Sequence, residues 1–202
     1  MRRALAIAAL LALTWSPSAR AQSQTDEYTK YELLAPETAQ FRIYYDVTAI
    51  SPGATYFFNP IRKGSEASNE AVYDKMNGKA LNWEDVTGAE ARASGMPRAD
   101  LDTSYIRVTL PRPVPKDGQV RLLIDKTYKD AKSYFREGDL IVFSRPLGIK
   151  RNSVVLPAGY ELVSCSVPAQ VLQQPDGRIA ISFMNAWPDQ ASVVVKGRKL
   201  AK

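Results

Sequence analysis

The stretch "FRIYYDVT" alternates without a break: Phe41, Ile43, Tyr45 and Val47 fall on one side, Arg42, Tyr44, Asp46 and Thr48 on the other. A period of two, carried by aromatic and β-branched residues, is the pattern of a strand with one buried face. "TSYIRVTL" repeats it, with Ile106, Val108 and Leu110 opposite Tyr105, Arg107 and Thr109. "ATYFFN", "QVRLLIDKTY", "DLIVFSR", "NSVVLP", "YELVSCSVP", "RIAISFMN" and "ASVVVKGRKL" read as further strands. Breakers separate them: Ser51-Pro52-Gly53, Asn77-Gly78, Lys116-Asp117-Gly118, Pro157-Ala158-Gly159 and Pro175-Asp176-Gly177. Asn77-Gly78 supplies the positive φ angles of a tight turn and predicts a hairpin. "GAEARAS", bounded by glycines, fits a short helix or a loop equally well. Turn signals every roughly 8–12 residues without a long amphipathic helix predict an all-β fold. The expected architecture is a single β-sandwich of about ten mostly antiparallel strands, with at most one short helix. It spans residues 41–202 and follows a polar lead-in, residues 22–40.

The first 21 residues follow a different rule. Arg2 and Arg3 precede the 12-residue apolar run "ALAIAALLALTW", and Ala19-Arg20-Ala21 supplies small residues at an A-x-A site. This is the grammar of a secretory signal peptide cleaved before Gln22, and the run is shorter than the roughly 18–20 residues of a membrane-spanning helix. The expected location is the periplasm or the extracellular space, with no membrane span in the mature chain. Cleavage removes three arginines and no acidic residue, so the formal net charge falls from +6 to +3. That modest excess does not predict a nucleic-acid partner.

Histidine is absent and cysteine occurs once, at Cys165. Ser-His-Asp and Cys-His catalytic units and the H-E-x-x-H zinc motif are therefore excluded, as are the common zinc sites. No cofactor is expected. Cys165 has no partner for an internal disulfide and reads as a small core residue, sharing a face with Val163 and Val167.

Candidate contact residues lie near turns. Tyr56 opens an aromatic run that enters a basic loop at Arg62 and Lys63, the composition of a stacking platform for a sugar or peptide. Trp83 and Trp187 are candidate anchors, Trp187 in the turn "NAWPD". Lys150 and Arg151 form a basic connection suited to an anionic partner. Asp100 and Asp102 make a D-x-D pair without the further ligands of a calcium loop. Glu84 and Asp85 are strand neighbours pointing to opposite faces, which is not a catalytic dyad. "KTYKDAKSYF", Lys126 to Phe135, fits a solvated hairpin loop.

"LPAGYELVSCSVP" followed by "DGRIAISFMN" resembles a segment of the β-sandwich domain that precedes the catalytic domain in gluzincin-type metallo-aminopeptidases and their non-catalytic relatives. An apolar strand, an L-P-x-G turn, a second strand and a D-G-R hairpin carry the resemblance, over about the last sixty residues. It implies the fold; with no H-E-x-x-H present, it does not bring the peptidase activity with it. The functional expectation is a secreted, non-enzymatic β-sandwich that recognises a protein or polysaccharide partner by its surface. The alternatives are a carboxylate-based carbohydrate-active enzyme and an envelope assembly component docking by strand addition.

Overall fold

The computed structural model describes residues 24–201; the export signal read from residues 1–21 lies outside them. Fourteen strands are formed among the described residues, in three sheets. The largest contains β1 (Gln24–Leu33), β2 (Gln40–Ala49), β4 (Glu66–Asp74), β7 (Val120–Lys129), β10 (Arg151–Val155), β12 (Gln170–Gln173) and β13 (Ile179–Met184), in the spatial order β12-β13-β10-β1-β2-β7-β4. A four-stranded sheet runs β11-β14-β9-β8, from β8 (Tyr134–Glu137), β9 (Leu140–Leu147), β11 (Tyr160–Cys165) and β14 (Ala191–Lys199). A three-stranded sheet runs β3-β6-β5, from β3 (Tyr56–Pro60), β5 (Trp83–Thr87) and β6 (Ser104–Thr109). The fold is an all-β sandwich in which β1 and β10 pair in parallel and the other described pairs are antiparallel.

The excess over ten strands has local causes. Residues 24–33 of the expected lead-in form β1, near the middle of the large sheet. Its alternation is present but written in polar residues: Tyr31 and Leu33 are buried, while Lys30 and Glu32 form an ion pair on the opposite face. The strands β8 and β12 have four residues each, too few to show a period.

One strand explains the layering. On β2, Phe41 and Ile43 pack with Tyr134, Ile141, Phe143, Val193 and Val195 of the four-stranded sheet. Tyr45 and Val47, on the same side of β2, pack with Phe57, Ile106 and Val108 of the three-stranded sheet. Both small sheets therefore sit side by side on one face of the large one, each over its own core. Phe41, Tyr31 and Phe143 hold the first core with ring centroids 5.4 to 6.1 Å apart and tilted or edge-on contacts.

Several predicted turns form but hand the chain from sheet to sheet. Pro157-Ala158-Gly159 joins β10 of the large sheet to β11 of the four-stranded one, with Gly159 at φ 76°. The Asn77-Gly78 turn closes only one bridge, Tyr73 to Ala80, before the chain crosses to β5. "GAEARAS" resolves as a helix, α1 (Gly88–Ala93), because Thr87 and Glu90 complete a capping box at its start. Cys165 is half-buried against the first core with Val167, but a bulge between Leu162 and Ser164 turns Val163 outward, leaving it 45% exposed. Among the described residues no helix is long and apolar enough to cross a membrane.

Candidate functional site

Where the two small sheets meet side by side, they leave a cleft of about 570 Å³. Its floor is the inward face of the large sheet: Thr29 and Tyr31 of β1, Ile43 and Tyr45 of β2, Lys126 and Tyr128 of β7. Asn59, Pro60 and Arg62 wall it on the three-stranded side, Arg145 on the four-stranded side, and Met96-Pro97-Arg98 and Ile149 complete the rim.

The floor contains an unusual residue. Leu122 and Ile124 place Lys126 on the inward register of β7, and its side chain is only 4% exposed. Its Nζ donates to Asn59 Oδ1 at 2.5 Å and to Tyr128 Oη at 3.0 Å, both neutral groups. Among the described residues it has no carboxylate partner. Desolvating an ammonium ion is costly, and neutral acceptors return only part of that cost.

Arg145 occupies the inward register of β9 between Phe143 and Leu147 and is 5% exposed. Unlike Lys126 it is paired: its Nη1 lies 3.2 Å from Asp130 Oδ2 and 3.3 Å from Ser133 Oγ. Asp130 is fixed in the β7–β8 turn by the N–H groups of Lys132 and Ser133 and by the hydroxyls of Ser133 and Ser65. Burial pushes its carboxyl up, but the bonds from Ser133 and Ser65 and the charge of Arg145 outweigh that and hold it below its ordinary value. The segment Lys126 to Phe135 is thus not the solvated hairpin loop its composition suggests, because Lys126, Tyr128, Asp130 and Tyr134 all point inward.

Tyr128 joins the cations. Lys126 Nζ lies 4.7 Å and the Arg145 guanidinium 5.5 Å from its ring centroid, and the Arg62 backbone N–H donates to its hydroxyl at 3.3 Å. Burial pushes the phenol of Tyr31 up to about 12, with the charge of Arg145 acting the other way, so Tyr31 is a neutral hydroxyl at physiological pH. The lining holds four cations, Arg62, Arg98, Lys126 and Arg145, and no carboxylate. It offers a ligand hydrogen-bond donors against aromatic and apolar walls.

Of the sequence candidates, Arg62 alone lines this cleft. Lys63, its neighbour, is exposed and pairs with Asp100 at 3.3 Å and Asp102 at 3.9 Å, so the D-x-D pair serves as a loop clasp. No metal-holding group of His, Cys, Asp or Glu occurs among the described residues. Tyr56 lies on the opposite face of β3 from Asn59, half-buried beside Phe58 and under the Arg107 guanidinium. Trp83 is half-buried against the second core. Trp187 is 51% exposed, as its turn suggested. Asn185 ties its loop to the basic connection, donating to the carbonyls of Lys150, Leu147 and Asp189 and accepting the Trp187 N–H. Lys150 and Trp187 therefore share one end of the sandwich, with the exposed Arg151 opening β10 beside them. Alternation along β3 and β5 buries part of the rings of both Tyr56 and Trp83.

The sequence matches no protein-family model and no curated protein. Its three-dimensional arrangement does have counterparts. The fold is shared with M1 zinc metallopeptidases. The enzyme from Deinococcus radiodurans superposes with a TM-score of 0.55 at 13% identity, over 89% of this chain and 42% of that one. A mutant of a two-domain M1 zinc metallopeptidase with bound L-tryptophan gives a TM-score of 0.54 at 13% identity, over 89% of this chain and 43% of that one. The chain thus spans less than half the length of these enzymes. The likeness expected for the last sixty residues extends over nearly all of the chain. The chain has no histidine and so carries no H-E-x-x-H motif of its own.

Proposed function

We propose that the protein is an exported, non-enzymatic recognition protein that takes a group of its partner into the cleft between the two small sheets. The observation that carries this reading is Lys126, a buried cation facing a cleft of ligand size with only neutral partners. Such a charge is costly to the free protein and gains an opposite charge when a partner binds. The lining favours binding over carboxylate-based catalysis: it presents cations, hydroxyls and apolar walls, whereas glycoside chemistry requires two carboxyl groups converging on one bond.

A comparison of wild type with Ile149→Trp, which fills the mouth of the cleft, tests the reading. Components of the native envelope or growth medium retained on immobilised wild type should be lost from the variant. Equal retention on both, or hydrolysis of peptides or glycosides at ordinary enzymatic rates, overturns it. Export is checked on the same material, where the mature chain should begin at Gln22.

Strand addition is a second reading, favoured by β12. This edge strand is exposed along its whole length, with Val171 and Leu172 about half accessible. Val171→Pro would block such pairing by removing an edge N–H. Partner retention that survives Ile149→Trp but not Val171→Pro would favour this reading over the cleft.

A further inference from the structure

We infer that the cleft selects a monoanionic ligand, a carboxylate head on an apolar body, with Lys126 and Arg145 taking the head. The inference rests on the cleft being the binding site and adds the chemistry of what enters it.

Three observations lead to this class. The first is charge. Arg145 is already balanced by Asp130, whereas Lys126 is not balanced by any carboxylate among the described residues. Arg62 is half-buried and Arg98 exposed, so water reaches both; of the two fully buried cations only Lys126 is uncompensated, and one negative charge neutralises it. A dianion would leave a charge of its own in a desolvated site.

The second is hydrogen-bond polarity. Asn59 Oδ1, an amide acceptor in the lining, is occupied by Lys126 Nζ, while the ammonium and guanidinium groups only donate. A neutral sugar presents hydroxyls that must donate as well as accept, and here the side-chain acceptors left to it are the hydroxyls of Thr29, Tyr31, Tyr45 and Tyr128. A carboxylate accepts through both oxygens, and its bonds to cationic donors are the stronger kind.

The third is shape. Lys126 and Arg145 converge on the same Tyr128 ring, so their charges lie no farther apart than 4.7 Å and 5.5 Å combined. Beyond this charged end, Ile43, Tyr45 and Ile149 with Met96 and Pro97 offer apolar surface to the rest of the ligand.

The test is a titration of the full mature protein, followed by NMR, with 3-phenylpropionate, its neutral isostere 3-phenylpropanamide, phenyl phosphate and the neutral sugar cellotriose. The expected result is that 3-phenylpropionate shifts the signals of Tyr31, Ile43 and Tyr128 and binds about tenfold or more tightly than the amide, the size of one charge-assisted hydrogen bond. Phenyl phosphate as a dianion should bind more weakly than the carboxylate. Lys126→Met should remove most of the difference between acid and amide. Arg98→Gln, an exposed rim change that does not disturb the core, should weaken the acid more than the amide. Equal affinity for acid and amide, no binding of the acid to wild type, or a preference for the phosphate overturns the inference. If cellotriose shifts cleft signals and the acid does not, the ligand class is wrong and the cleft reading stands. If no probe shifts them while Ile149→Trp keeps its partners, both fail.

Discussion

Lys126 Nζ donates to Asn59 Oδ1 at 2.5 Å, joining the floor strand β7 to the wall strand β3. The bond ties two sheets across the cleft, and its donor carries a charge that no described carboxylate balances. The proposed binding would offset the cost of that charge to the folded protein.

Replacing Lys126 by Met removes the buried charge, keeps most of the volume and leaves Asn59 Oδ1 without this donor. Relief of desolvation outweighs the two lost hydrogen bonds, to Asn59 and Tyr128, of about 1 kcal/mol each. Chemical denaturation should show the variant about 1 kcal/mol more stable than wild type. A clear loss of stability would mean that Lys126 is structural.

Arg145 behaves in the opposite way because its charge is paired. Asp130→Asn leaves the buried guanidinium without its carboxylate and should cost about 3 kcal/mol at neutral pH. The pH dependence has a definite sign. The Asp130 carboxyl is held below its ordinary value in the folded protein. Its contribution is therefore present above the unfolded value of about 3.9 and lost as pH falls through the folded one. Unfolding curves of wild type and variant should converge as pH falls from about 6 to about 2. Parallel curves would contradict the pairing.

Tyr31 gives the alkaline counterpart. With its phenol pushed up to about 12, its contribution is complete below the ordinary value of about 10 and lost as pH rises through the folded one. A phenolate absorbance titration should show a late class of tyrosines, and Tyr31→Phe should remove one member of it. Titration of every tyrosine near 10 would contradict the burial of this ring.

Gly88 opens α1 where a Cβ would lie 2.0 Å from the carbonyl oxygen of Asp100. The atom in the way is backbone, so the contact cannot be relieved by a rotamer change. Gly88→Ala should destabilise by about 3 kcal/mol and displace the Met96–Arg98 rim, which lies between α1 and Asp100. Thermal unfolding of the variant checks the first effect, and the signals of the rim residues check the second.

The alternation of β2 and β6 is plain in "FRIYYDVT" and "TSYIRVTL", and it was enough to read an all-β sandwich from the chain. The pairing of the strands was less accessible. Pro157-Ala158-Gly159 looks the same whether it closes a hairpin or carries the chain from one sheet to another, because a turn encodes a reversal and not a partner. The cleft was legible only in hindsight. In the inward series Leu122, Ile124, Lys126, Tyr128 and Ile141, Phe143, Arg145, Leu147, a cation sits where an apolar residue belongs. That break in register is the sequence signal of Lys126 and Arg145. Of the candidates chosen for being basic or aromatic near turns only Arg62 lines the cleft, since its floor comes from strand interiors.

A crystal structure of the protein grown with 3-phenylpropionate would show where the carboxylate sits. The carboxylate should lie within hydrogen-bond distance of Lys126 Nζ, with the ring among the apolar side chains of the cleft. A ligand bound elsewhere on the molecule, or seated in the cleft with its carboxylate turned away from Lys126, would contradict that placement.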